Sequence, residues 1–338
     1  MENLERAIEL IREALPGMPL LENEPLSAHC SFRIGGPVRA LAIPSDVSSL
    51  TKVCCLLKEQ KLAPFILGNG TNLLFPDEGL PELFMISTER LTRMFLLPDG
   101  AIYAEAGVSL SKLASFAQQN GLSGLEFASG IPGSLGGACL MNAGAYGGEM
   151  KDVVESVVFY HLPQQALFEL AKENCAFAYR SSYFQKQPGC AILSAVLRLQ
   201  PGDREEIAAA MRELNQKRRD KQPLDLPSAG SAFKRPEGGF AAALIEEAGL
   251  KGFRIGGAQV SEKHAGFVVN VGGATAKDVH DLMLHVRNTV HEHSGVELEP
   301  EMIYLPPDFH LEDTGPAIPR HTVTPGLGGP ESDDAPEA

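Results

Sequence analysis

The chain has 338 residues, enough for two ordinary domains or one large one, and 29 basic against 43 acidic side chains give it a formal charge of −14. That balance argues against a nucleic-acid binder, which holds a phosphate backbone with clustered Lys and Arg, while 44% hydrophobic and 21% charged residues suit a globular protein with a sizeable core. The longest nearly uncharged stretch, 121–148, carries nine glycines in 28 positions and is too broken to span a membrane.

Residues 1–15 interleave Glu2, Glu5, Arg6, Glu9, Arg12 and Glu13 with Leu4, Ile8 and Ile11, which predicts an amphipathic N-terminal helix within a segment 1–19. It lacks the apolar stretch of a secretion signal, so the expected address is cytoplasmic. Then ALAIP, a helical pattern over 48–61, FILGNGTNLLF and ELFMIS alternate strand and helix in an α/β manner. FLLPDGAIYAEAG over 95–107 predicts a hairpin turning at Asp99 and Gly100, followed by a helix over 109–120. VESVVFYHLPQQALFELA predicts a second hairpin turning near Pro163, and the strand 191–200 ends at Pro201 and Gly202, where Asp203 is placed to cap a helix.

A domain boundary is set there, after 203. Beyond it come a helix over 204–219 with Ile207, Met211 and Leu214 on one face, a helix near 239–247 and two short strands. A last helix over 275–293 should bury Val279, Leu282, Met283, Val286 and Val290, before the strand VELEPEMIYL. The segment 306–338, with seven prolines and seven acidic residues against one basic, is expected to be a disordered acidic tail.

Cys30, Cys54, Cys55, Cys139, Cys175 and Cys190 show no metal-ligand spacing and are read as reduced packing residues. His280, His285, His291 and His293 lack an H-E-x-x-H frame and fall largely off the apolar stripe, so no metal site is expected. Two glycine-rich elements point to ligands. In Gly68-Asn69-Gly70-Thr71-Asn72-Leu73, backbone N–H groups could converge on an anion, although the same residues also fit the turn of a hairpin. The run from Gly124 to Glu149 is rich in Ile, Leu, Phe and Met besides glycine, unlike a flexible linker; a large flat or phosphorylated ligand lying on it explains the composition. Tyr179-Arg180-Ser181-Ser182, Gly230-Ser231-Ala232-Phe233-Lys234 and Glu299-Pro300-Glu301, taken singly, read as surface ion pairs, turn hydroxyls or a solvated strand end.

Taken together, HCSFRIGG at 29–36, LGNGTNLL, GLEFASGIPGSLGG, MNAGAYGGE, YRSSYF, AGSAFKRP, AGLKGFRIGGAQVSEKHAGFVVN and LEPEM resemble, in order over about 20–305, the flavin-dependent UDP-N-acetylenolpyruvoylglucosamine reductases, or MurB family. The resemblance implies an α+β protein. A two-subdomain FAD-binding region of the vanillyl-alcohol-oxidase (PCMH) type would cover 20–203, as 20–90 and 91–203, and a C-terminal α/β substrate-binding domain 204–305. It implies NADPH-dependent, FAD-mediated reduction of UDP-N-acetylenolpyruvoylglucosamine to UDP-N-acetylmuramate in peptidoglycan biosynthesis, with hydride passing from FAD N5 to C3 and a proton from Ser231 to C2. Arg180 and Glu301 would stabilise the intermediate, and Glu301 should have a raised pKa, with Glu299 as second choice for the acid.

For FAD the motifs point to Gly68, Asn69, Gly70, Thr71, Asn72 and Leu73 around the pyrophosphate, and to Ser129, Gly130, Pro132, Ser134 and Gly137 along the flavin and ribityl chain. Tyr146, Lys221 and Arg235 are weaker candidates for the UDP-sugar. The 51-residue interval from Arg180 to Ser231 looks like the shorter subtype without an inserted Tyr loop. Thr71 stands where Ser is usual and Cys30 where Thr is usual, the latter weakening one hydrogen bond. Two other readings stand beside this one: another FAD-dependent oxidase of the same superfamily, and a non-catalytic flavin-binding protein. The partner implied is a small molecule, without nucleic acid or membrane; the oligomeric state is open and compatible with a monomer.

Overall fold

The computed structural model describes residues 2–187 and 189–309. Its first lobe is a four-stranded sheet in the order Leu20–Pro25, Pro37–Ala42, Leu80–Ser87, Phe65–Leu67, antiparallel at the first pairing and parallel at the other two. Alternation along the strands directs its two faces. Ala40, Ala42, Phe84 and Ile86 face the helices Glu2–Ala14 and Val47–Glu59, whereas Leu41, Leu83 and Met85 face the opposite way. Asp46 starts the second helix, its carboxylate accepting from the Ser49 N–H at 2.7 Å.

The second lobe is a five-stranded antiparallel sheet ordered Ala166–Ala171, Val154–His161, Cys190–Leu197, Ile102–Glu105, Met94–Leu96, and it contains both expected hairpins. Its middle strand, Cys190–Leu197, is buried at every position because both faces are covered. Ile192, Ala195 and Leu197 join this lobe's own core with the helices Leu110–Gln119 and Leu135–Met141, while Ala191 and Leu193, with Tyr160 and Leu162, pack on the helices of the first lobe.

The third part is a four-stranded antiparallel sheet ordered Ser228–Ser231, Phe267–Asn270, Ala258–Val260, Arg254–Ile255, with helices Ala241–Glu247 and Ala276–Ser294. Val279, Leu282, Val286 and Val290 are buried as the periodicity requires; Met283 is only partly so. This part shares one continuous core with the first lobe: Val279 and Leu282 belong to the same apolar cluster as Leu41, Phe75 and Met85.

Two departures from the sequence reading matter for the site. The helix Arg204–Lys221, capped by Asp203 as expected, buries only Ile207 fully and packs against the helix Leu110–Gln119 and the turn Glu126–Ala128. Although assigned by sequence to the C-terminal domain, it lies on the second lobe and carries the chain across. The order also continues past 305: Phe309 packs edge-on to Phe65 at 5.9 Å between centroids, because an aromatic ring there covers the partly buried side of the first sheet. The rest of the expected tail, 310–338, lies outside the described residues. No described helix is long and apolar enough to cross a membrane, and no group of His, Cys, Asp and Glu among the described residues is arranged to hold a metal ion.

Candidate active site

The segment 68–73 follows the strand Phe65–Leu67 but is not a hairpin turn. That strand pairs in parallel with Leu80–Ser87, whereas Leu73–Leu74 pairs in parallel with Ile303–Tyr304. The loop is instead held from outside. Gly70 has φ of +59°, and a Cβ there would stand 2.2 Å from the His29 carbonyl oxygen and 2.8 Å from Cys30 Cα, so only glycine fits. Its carbonyl accepts from the Ser31 N–H, and Ser31 Oγ donates to the Ser228 carbonyl at 2.6 Å. The HCSFRIGG segment therefore ties the loop to the strand that ends at Ser231. Cys30 Sγ, buried, donates to the Ile34 carbonyl at 3.3 Å, so the thiol keeps a hydrogen bond there.

The second glycine-rich segment meets this loop. A Cβ on Gly68 would lie 2.8 Å from Ser134 Oγ, and one on Gly133 would lie 3.4 Å from Thr71 Oγ1. Ser134 stands at the start of the helix Leu135–Met141 and is 1% exposed, yet its hydroxyl has no hydrogen-bond partner among the described residues. Leaving a buried hydroxyl unpaired costs about 1–3 kcal/mol, a cost that a polar ligand atom at that point removes. Pro132 and Gly137, on either side of it, are exposed, as is Asn69 opposite. Small backbone, an unpaired donor and an open edge suit a phosphorylated cofactor such as FAD. Ser129 is different: its hydroxyl donates to the Glu126 carbonyl at 2.8 Å and accepts from Asn215 Nδ2 at 3.2 Å.

Asn72 links the cradle to the acidic strand, donating from Nδ2 to the Glu301 carbonyl at 3.1 Å. Glu301 donates its own N–H to the Ala232 carbonyl at 2.9 Å, next to Ser231. Its carboxylate accepts from Arg180 Nε at 2.5 Å, with side chains 12% and 22% exposed. Burial pushes the Glu301 pKa up, and the Arg180 charge offsets part of that rise. Glu299, the second choice for the acid, is 69% exposed and paired with Lys234. The strand end here makes only an isolated bridge, Phe233 with Pro300, so strict two-residue alternation does not apply. Ser231 is half-buried, and its hydroxyl makes no hydrogen bond to a described residue.

Arg180 reaches Glu301 from a left-handed backbone, φ +51°, uncommon for a non-glycine residue. Asn142, buried, holds that segment: its Nδ2 donates to the Ala178 carbonyl at 3.0 Å and to Glu149 at 2.7 Å. Tyr146 projects into solvent at 46% exposure, Lys221 is exposed at a helix end, and Arg235 is exposed with its guanidinium 4.5 Å from the Phe240 ring centroid. The Arg235 N–H donates to Tyr179 Oη at 3.1 Å, joining the second lobe to the C-terminal part.

A family model for an FAD binding domain matches residues 38–162, and the model for the UDP-N-acetylenolpyruvoylglucosamine reductase C-terminal domain matches 222–305. The UDP-N-acetylenolpyruvoylglucosamine reductase of Caldanaerobacter subterraneus is 48% identical over 87% of this chain and 96% of its own length; that of Clostridioides difficile is 46% identical over 85% and 93%. The chain belongs to this reductase family. Among solved structures, the enzyme of the same name (MurB) from Thermus caldophilus superposes with a TM-score of 0.72 at 35% identity, covering 86% of this chain and 99% of that one. As a member of the family, the chain is an FAD-dependent oxidoreductase with an FAD-binding region followed by the family's C-terminal domain.

Within this reductase frame the structure brings forward Arg218, which the sequence reading passed over. Its guanidinium donates from Nη1 to the Gly130 carbonyl, burial lowers its pKa, and its Nε is buried without a partner among the described residues. An unpaired buried donor beside the glycine-rich segment marks a place for an anionic ligand atom. Only the run KRRDK signalled it, and a helix C-terminus attracts cations in any case.

Proposed function

We propose that the protein reduces UDP-N-acetylenolpyruvoylglucosamine to UDP-N-acetylmuramate with NADPH, in the cytoplasm, as a step of peptidoglycan biosynthesis. The observation that carries this reading is the meeting of Ser231, Arg180 and Glu301. They come from three separated segments, joined by the Glu301 N–H to Ala232 carbonyl bond and the Arg180–Glu301 pair, next to the loop 68–73. FAD, when bound, supplies the hydride transfer between NADPH and C3 of the enolpyruvyl group. The 68–73 loop and the segment Ser129–Gly137 would hold it, the unpaired Ser134 hydroxyl and the backbone N–H groups of the loop being the donors they offer to a phosphorylated cofactor.

Addition at C3 puts negative charge on C2 and the substrate carboxylate. The Arg180 guanidinium offsets that charge, and Glu301, whose burial favours the neutral carboxyl, holds that guanidinium in place and can share the charge through a hydrogen bond when it carries a proton. Ser231 Oγ, unengaged by its neighbours, gives its proton to C2. Serine is a weak acid, and the transfer works because the enolate-like carbon is a strong base held within about 3 Å. Arg218, Lys221 and Arg235 take the diphosphate, and the exposed Tyr146 is a further contact for the UDP-sugar.

Anaerobic stopped-flow spectroscopy tests the assignment: the flavin is reduced with NADPH and the substrate is then added. Return of the 450 nm band, with a product heavier by two hydrogens, is expected. Flavin that stays reduced until oxygen is admitted would replace this reading by that of an oxidase of the same superfamily.

A further inference from the structure

We propose that Asn142 is a positioning residue for the substrate half-reaction: it locks the turn that carries Arg180 to the helix that starts at the flavin cradle. The inference rests on the reductase reading above and adds to it the side chain that sets the spacing between the two sides of the site.

The helix Leu135–Met141 begins at Ser134, beside Gly68 of the cradle. Seven residues at about 1.5 Å each put its far end about 10 Å away. The helix cannot slide along its axis. Leu135 and Gly136 donate their N–H groups to the Val108 and Ala106 carbonyls at 2.8 Å, and a Cβ on Gly136 would stand 2.9 Å from Ala106 Cβ. At the far end Asn142 closes the helix in the left-handed conformation, φ +45°. Glycine or asparagine commonly stands at such an end, and the backbone alone performs the closure.

The Asn142 side chain is spent elsewhere. Its Nδ2 donates to Glu149 at 2.7 Å and to the Ala178 carbonyl at 3.0 Å, and its Oδ1 accepts from the Lys151 N–H at 2.9 Å. Both amide protons are thus used, and none of the three bonds serves the helix itself. At 1% exposure the residue is shut off from a ligand in the open site. The gripped turn is small: Ala178 and Ser181 exchange two backbone hydrogen bonds, of 2.9 and 3.1 Å, around Tyr179 and Arg180. Beyond it the buried Ser182 donates from Oγ to the Leu140 carbonyl at 2.7 Å, and Arg180 Nη2 donates to the Gly144 carbonyl at 3.4 Å. Residues 140–144 therefore hold the turn before, at and after Arg180. A left-handed backbone at an arginine persists only where its surroundings over-determine it, and these bonds do so.

The same amide restrains a rival. The Glu149 pKa is lowered, most by its hydrogen bond from Lys151 and less by the Asn142 amide and the Arg180 charge, so an ionised carboxylate stands within the field of the guanidinium. Bound to Lys151 and Asn142, Glu149 leaves Arg180 to Glu301 and to a substrate carboxylate.

The test compares Asn142→Ala with Asn142→Gly in the FAD-loaded protein. Both lose the three side-chain bonds, but glycine accepts the left-handed backbone without strain and should have the higher Tm. Reoxidation by UDP-N-acetylenolpyruvoylglucosamine should slow by about 10–10²-fold in both, while flavin content and reduction by NADPH change less than about twofold. In an Arg180→Ala background, Asn142→Gly should slow reoxidation no further. Without any UDP-sugar, the loss of urea midpoint caused by Arg180→Ala should fall by about half or more in the Asn142→Gly background, because the pair with Glu301 is already loosened. Reoxidation that recovers in step with Tm, equal slowing of both half-reactions, slowing that persists without Arg180, or an undiminished urea loss would each overturn the proposal. Failure of the reductase reading shows separately, as wild-type flavin that the UDP-sugar leaves reduced, and the urea comparison then still decides the role of Asn142.

Discussion

The two sides of the candidate site are made of different material. The proposed flavin side is backbone: a Cβ on Gly68 would press on Ser134 Oγ and one on Gly70 on His29 and Cys30, and Ser134 is, among the described residues, the buried hydroxyl left unpaired. The proposed substrate side is made of side chains, with Arg180 and Glu301 paired across a gap of 121 residues and Ser231 on a third segment. The first is sensitive to added atoms and the second to removed charges. Asn72 joins them, donating to the Glu301 carbonyl, so the cradle also fixes the acid's strand.

Gly70→Ala attacks the backbone side and should have the largest effect. A left-handed φ and a Cβ 2.2 Å from the His29 oxygen together cost about 2–6 kcal/mol. The protein should be purified with little flavin and a lowered Tm; full flavin content at the wild-type Tm would remove the cradle from the account. Arg180→Ala attacks the other side by leaving Glu301 buried without its cation. At 12% and 22% exposure the cost is about 2 kcal/mol, below that of a fully buried pair. In the Glu301→Gln background the same change should cost clearly less in urea unfolding, and equal costs in both backgrounds would mean the two groups are not coupled.

A pH series sharpens the comparison further. The folded-state pKa of Glu301 is raised above 4.5, so the folded chain binds its proton more tightly than the unfolded chain. Its favourable contribution is complete below the unfolded pKa and is lost as pH rises from there through the folded value. Wild type should therefore lose stability relative to Glu301→Gln as pH climbs from about 4.5; a constant difference would place the carboxyl in an ordinary environment. The smallest effect is expected at Cys30→Thr. The thiol already donates to the Ile34 carbonyl, and exchanging it for a hydroxyl should move Tm-derived stability by no more than about 1 kcal/mol.

The same division explains what the sequence reading reached. Hairpins at Asp99-Gly100 and Pro163, the Asp203 cap and the apolar stripe of the last helix depend on neighbours in the chain, and they stand where expected. The glycine-rich segments also declare themselves locally, because their composition is costly without a ligand. The parallel pairing of Leu73–Leu74 with Ile303–Tyr304, the separation of Glu299 from Glu301 and the inward turn of Arg218 depend on residues far apart in sequence. The motif resemblance indicated Arg180, Ser231 and Glu301, and no spacing rule within the chain singled them out. The lobe on which the helix Arg204–Lys221 packs was not legible for the same reason: an exposed amphipathic helix with one fully buried residue does not state which lobe it covers.

The central claim is that Ser231 supplies the proton on the substrate side without serving the flavin side, and comparing Ser231→Ala with wild type in the two anaerobic half-reactions tests it most directly. Reduction by NADPH should be unchanged, while reoxidation by UDP-N-acetylenolpyruvoylglucosamine should slow by about 10²–10⁴-fold. Reoxidation at the wild-type rate would contradict the claim.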